Sequence, residues 1–115
     1  MMGRFDWSPG VSMIKVTFLY PSKPGSRFNA DYYIDFHMPL AIRLLGSALK
    51  GVSAEIGISG AMPGTPPPNA AIASFTFESV EAFTAAVMPH YMELQSDIPN
   101  YTDIEPIVQI SDLRI

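Results

Sequence analysis

Between Met13 and Tyr20 apolar and polar side chains alternate, with Ile14, Val16, Phe18 and Tyr20 on one parity and Lys15, Thr17 and Leu19 on the other. A period of two predicts a half-buried strand. Pro21, Pro24 and Gly25 close it, and Asn29 is a good helix cap with Asp31 in the first turn after it, so a helix is expected from about Ala30. Four-residue spacing places Tyr33 with His37 and Tyr32 with Phe36, and Leu40 and Leu44 extend the buried stripe. Pro39 disfavours helical geometry at Met38, which predicts a kink or short break there and a second helical piece to about Leu49.

Val52, Ala54, Ile56 and Ile58 alternate with Ser53, Glu55, Gly57 and Ser59 as a second strand. Gly60 to Asn69 holds four prolines and two glycines and reads as a surface loop. A third strand follows from Ala71 to Phe77. Ser79 then caps a second helix with Val80, Phe83, Val87, Tyr91 and Leu94 at helical spacing. Asp97 to Asp103 reads as a connecting turn, and Ile104 to Ile110 as a last strand that Pro106 assigns to a sheet edge. The order is βαββαβ, an α+β ferredoxin-like fold. It has a four-stranded antiparallel sheet, two helices over its apolar face, and right-handed crossovers. The other face carries Lys15, Thr17, Glu55, Ser74, Thr76 and Gln109 and must meet water or a partner sheet.

Composition favours the partner. The chain has 115 residues, 48% of them hydrophobic and only 16% charged, which suits one domain covered in part by a second copy of itself. A homodimer is the expectation. The formal net charge is -4 and the seven Lys and Arg are scattered singly, so no basic stripe exists for nucleic acid or an anionic membrane. No apolar run approaches the roughly 20 residues that cross a bilayer, and a soluble, cytoplasmic protein is expected. Residues 1–12, with Pro9 and Gly10, read as an extension ahead of a single domain spanning 13–115. There is no cysteine, which removes disulfides, thiolate nucleophiles and sulfur-ligated metals.

Chemistry then falls to histidine and tyrosine. If the helices cover the apolar parity, Tyr20 and the Tyr33–His37 face of helix one point into one space. A neutral imidazole at His37 would take a proton while a phenol of Tyr33 or Tyr20 donates to developing charge on oxygen. The competing reading is that His37 satisfies a helix carbonyl freed by Pro39. Tyr32, Phe36, Leu40 and His90 are the further residues expected around a bound ligand. Two histidines without a ligand-like spacing make no metal site, and no Gly-rich phosphate cradle or nucleophile elbow is present. Neither a metal nor a cofactor is expected. What remains is acid–base chemistry, or plain binding, in a pocket between helices and sheet.

Three stretches together carry a family resemblance: Met13-Ile14-Lys15-Val16-Thr17-Phe18-Leu19-Tyr20-Pro21, Asp31-Tyr32-Tyr33 through His37-Met38-Pro39-Leu40, and Asp97-Ile98-Pro99-Asn100-Tyr101-Thr102 leading into Pro106 to Ser111. The chain resembles the EthD family, named for ethyl tert-butyl ether degradation, within the dimeric α/β-barrel superfamily. The resemblance implies a ferredoxin-like protomer whose sheet packs on its partner's, with the family histidine at His37 and the paired aromatics at Tyr32 and Tyr33. It further implies small-molecule catabolism without a cofactor, on a small hydrophobic or aromatic compound, or a role accessory to an ether-degrading oxygenase system. Cyclase, decarboxylase and monooxygenase activities on polyketide-like aromatics occur in the wider superfamily, and a non-catalytic binding or structural homodimer is the alternative of another class. Fold alone does not choose among them.

Overall fold

The computed structural model describes residues 13–115; the extension read at 1–12 lies outside them. Strand β1 (Met13–Pro21) leads to a helical segment made of α1 (Ala30–Tyr32), a π-helical turn (Tyr33–His37) and α2 (Met38–Leu45). Then come β2 (Gly51–Ile56), β3 (Asn69–Phe77), α3 (Val80–Val87), α4 (Tyr91–Asp97) and β4 (Ile107–Leu113). All pairings are antiparallel and the spatial order is β2-β3-β1-β4. This is the ferredoxin-like α+β arrangement expected from the pattern.

Register confirms which face is which. Val16 stands opposite Phe75 and Ile110, and Phe18 opposite Ala73 and Val108, so the apolar parities of β1, β3 and β4 share one face, that of the helices. Val16, Tyr20, Ala71, Ala73, Phe75 and Phe77 are buried there. On the open face Thr17 stands opposite Ser74 and Gln109.

Boundaries moved where proline intervenes. The break expected at Met38 is a widened turn instead: the Met38 N–H donates to the Tyr33 carbonyl, five residues back, and the helix continues. Widening relieves the clash between the Pro39 ring and the preceding turn, and Pro39 has no N–H to leave unpaired. The extra residue rotates everything downstream, so the buried stripe is Tyr33, His37, Met38, Ala41 and Leu45, while Leu40 and Leu44 are only half-buried. Helix two is likewise interrupted, by a 3-10 turn at Met88–His90 around Pro89. The last strand begins at Ile107, three residues later than its alternation suggested, because Thr102 and Ile104 are tied into the preceding loop: the Ile104 N–H donates to Thr102 Oγ1 at 3.0 Å.

Candidate active site

The site is assembled by two loops laced together. The Asn29 side chain accepts from the Tyr32 N–H at 3.0 Å, starting α1, and its own N–H donates to the Tyr101 carbonyl at 2.7 Å. Arg27 donates through Nη2 to the Pro99 carbonyl at 2.9 Å and through its backbone N–H to Asp103 Oδ1 at 2.8 Å. Thr102 Oγ1 donates to the Arg27 carbonyl at 2.6 Å. These bonds hold the end of α4 and the turn after it against the start of helix one. Asp97 is thereby carried to His37.

The His37 Nδ1 lies 2.8 Å from Asp97 Oδ2. The other carboxylate oxygen accepts from the Tyr32 hydroxyl at 2.7 Å and from Asn100 Nδ2 at 2.9 Å. Partial burial works against the Asp97 charge, but donation from Tyr32, Asn100 and His37 outweighs it and holds the carboxyl below its ordinary 3.8. An ionised Asp97 accepts the Nδ1 proton of His37, so the neutral ring carries its lone pair on Nε2. Tyr32 is in turn pushed up from its usual value, first by donating to Asp97 and then by burial.

A cavity of about 380 Å³ opens beside this pair, between the helices and the sheet. Its walls are Phe18, Phe75, Phe77, Phe83, Val87 and Leu94, with Ala41 and Leu45 from α2. Its polar groups are His37, Tyr20, Tyr33 and Tyr101, with Tyr91, Gln95 and Glu105 contributed by α4 and the segment before β4. The hydroxyls of Tyr20 and Tyr101 are 2.8 Å apart. Tyr101 is completely buried and its ring lies 4.6 Å from that of His37 and 4.9 Å from that of Tyr33. Burial first, then neighbouring phenols, pushes the hydroxyls of Tyr33 and Tyr101 well above the usual range, and burial also raises Tyr20. They stay protonated and act as donors.

Of the residues expected from sequence, His37, Tyr33 and Tyr20 all line the cavity. Tyr32, Phe36, Leu40 and His90 do not. Tyr32 sits behind the histidine on Asp97, and Phe36 is turned outward, 62% exposed. Leu40 is displaced by the π turn, and His90 yields to Tyr91 because the 3-10 turn around Pro89 rotates the chain. The carbonyl reading of His37 is replaced by the bond to Asp97. Sequence reasoning does not reach Asp97, Tyr101 or Glu105 as site residues; the signal for the first two is the Asp97-to-Thr102 stretch, which carries the family resemblance. Among the described residues no cluster of His, Asp or Glu could hold a metal ion.

Comparison with known proteins adds identity to this geometry. The EthD domain model matches residues 28–105, most of the chain, with His37, Asp97 and Tyr101 inside the matched span. The chain belongs to the EthD family. An EthD-like protein from Ralstonia eutropha JMP134 is 43% identical over 90% of this chain and 94% of its own, with a TM-score of 0.86. An ethyl tert-butyl ether degradation family protein from Bacillus halodurans C-125 shares 15% identity over 89% of this chain and 99% of its own, with a TM-score of 0.68. The hydroxynitrile lyase of Passiflora edulis, 14% identical over 92% of this chain and 96% of its own with a TM-score of 0.60, shares the fold. No curated protein matches the chain. No helix among the described residues is long and apolar enough to cross a membrane.

Proposed function

We propose that this EthD protein is a cofactor-independent acid–base catalyst acting on a small hydrophobic or aromatic compound held between helices and sheet. The observation that carries this reading is the 2.8 Å bond from His37 Nδ1 to Asp97 beside a cavity that His37 itself lines. His37 Nε2 takes a proton from a carbon or oxygen acid. Asp97 holds the ring in the required tautomer and offsets the imidazolium charge that forms, and Tyr20 or Tyr33 donates to the oxygen on which negative charge develops. Because the low-identity neighbours share fold alone, the reaction is argued from these side chains.

The test is exchange of the acidic protons of hydrophobic methyl ketones in heavy water, followed by NMR. The wild type should accelerate exchange and His37→Ala should lose it by roughly 10²-fold or more while remaining folded. Exchange at the uncatalysed rate, or an unchanged rate in His37→Ala, rejects the reading. Saturable ligand binding without turnover in either form would assign the non-catalytic alternative, or a role accessory to an oxygenase.

We propose further that the protein is a homodimer in the cytoplasm, its sheets meeting through the face away from the helices. That face centres on small polar side chains, with Thr17 Oγ1 and Ser74 Oγ 3.4 Å apart, and Ile107 at its rim is 58% exposed. Ferredoxin-like neighbours from Bacteroides fragilis and Thermobifida fusca are described as dimeric, which supports a dimer here.

A further inference from the structure

The charge and hydrogen-bonding inventory of the cavity narrows what can enter it. Among the described residues no lysine or arginine lines it. Its ionisable neighbours of fixed sign are acidic: Glu105, itself exposed to solvent, lines it, and Asp97 stands behind His37. A proton gained by His37 would not draw in a second anion, because Asp97 already sits 2.8 Å from Nδ1. An anionic ligand would therefore give up its water against apolar walls and two carboxylates, with no cation to replace that solvation.

The same cavity is well provided with neutral donors. Tyr20, Tyr33 and Tyr101 carry three O–H groups, and the hydroxyls of Tyr20 and Tyr101 are bonded to each other at 2.8 Å. That bond uses one of the pair's two protons, so one O–H of the Tyr20–Tyr101 pair remains to be donated to a ligand oxygen. The size is informative too. A volume of about 380 Å³ is more than twice the roughly 150 Å³ that suffices for benzene in an apolar cavity.

We infer that the cavity selects an uncharged, oxygen-bearing hydrophobic compound of about two-ring size, its oxygen set against the Tyr20–Tyr101 hydroxyls, and rejects carboxylates and phosphates of the same shape. This rests on the reading of the cavity as the substrate site. Specificity here comes from leaving an intruding anion unpaired, which discriminates more sharply than apolar shape alone.

The experiment is calorimetric titration of the intact protein at neutral pH with two near-isosteric probes, the methyl ketone acetonaphthone and the carboxylate naphthoate. The ketone should bind saturably and naphthoate at least about tenfold more weakly. Glu105→Lys should narrow that gap by strengthening naphthoate binding. Tyr101→Phe should weaken ketone binding by about fivefold, the worth of one hydrogen bond, and Tyr20→Phe provides the same readout should the first variant misfold. Equal or tighter binding of naphthoate, saturable binding of neither probe, or a gap indifferent to Glu105→Lys overturns the inference. Preference for the ketone without any proton exchange would reject the acid–base reading and leave this inference standing, whereas exchange together with carboxylate preference would do the reverse.

Discussion

His37 and Asp97 are sixty positions apart in the chain and 2.8 Å apart in space, and the pair shows how much one acceptor can organise. Asp97 receives donors from His37, Tyr32 and Asn100. Asp97→Ala leaves all three short of their acceptor, and urea unfolding should report a loss of about 1–3 kcal/mol. The pH dependence follows from the direction of each shift. The Asp97 carboxyl lies below its ordinary 3.8 in the folded protein, so its contribution is complete above that value and disappears as pH falls through the folded one. A urea midpoint that drops below about pH 4 in the wild type should therefore drop less steeply in Asp97→Asn. Tyr20, Tyr33 and Tyr101 are raised from 10.0; their contribution is complete below that value and is lost as pH rises above it. His37 was legible from the chain because its residue type is rare and its chemistry general. Asp97 was not, because nothing local distinguishes an acid at a helix end that faces a histidine from one that faces water.

Among the elements, the strands were the most legible, since alternation reports a face directly. The helices were less so. A proline announces that the backbone must change, but the chain accommodated Pro39 by widening a turn and Pro89 by tightening one. One inserted residue at the first site is why Ala41 and Leu45, and not Leu40 and Leu44, reach the core. Capping behaved as its chemistry requires: Ser79 Oγ accepts from the Ala82 N–H at 3.0 Å, and Ser79→Ala should cost about 1 kcal/mol in the same unfolding assay. At the end of β2, a Cβ on Gly57 would run into the Asn69 carbonyl oxygen and stand 2.8 Å from Pro67 Cβ. Gly57→Ala must push the hairpin apart there, and a loss of about 1–3 kcal/mol is expected.

At the scale of the whole molecule the sheet separates two jobs. Its apolar face and the helices enclose the cavity, while the polar face, with Thr17 between Ser74 and Gln109, carries the proposed interface. Thr17→Arg brings like charges together at the centre of the proposed interface, so light scattering should show a dimer for the wild type and a monomer for the variant, with the cavity side untouched. A wild-type monomer, or a dimer indifferent to Thr17→Arg, would refute that interface.

Hydrophobic periodicity, with the caps and the proline–glycine breaks, determined the βαββαβ order and the two faces of the sheet, and, once the helices cover the apolar face, the meeting of Tyr20, Tyr33 and His37. The sequence also carried the family motif through His37. Only the tertiary structure decided that Asp97, Tyr32 and Asn100 stand behind that histidine, that Tyr101 closes the aromatic cluster, that Glu105 lines the cavity, and that Tyr91 and Ala41 face it in place of His90 and Leu40. Those placements rest on bonds between the Arg27–Asn29 and Pro99–Asp103 segments and on turns reshaped around Pro39 and Pro89. Local pattern does not specify them, because contacts between distant segments choose among backbone conformations that are nearly equal in local energy.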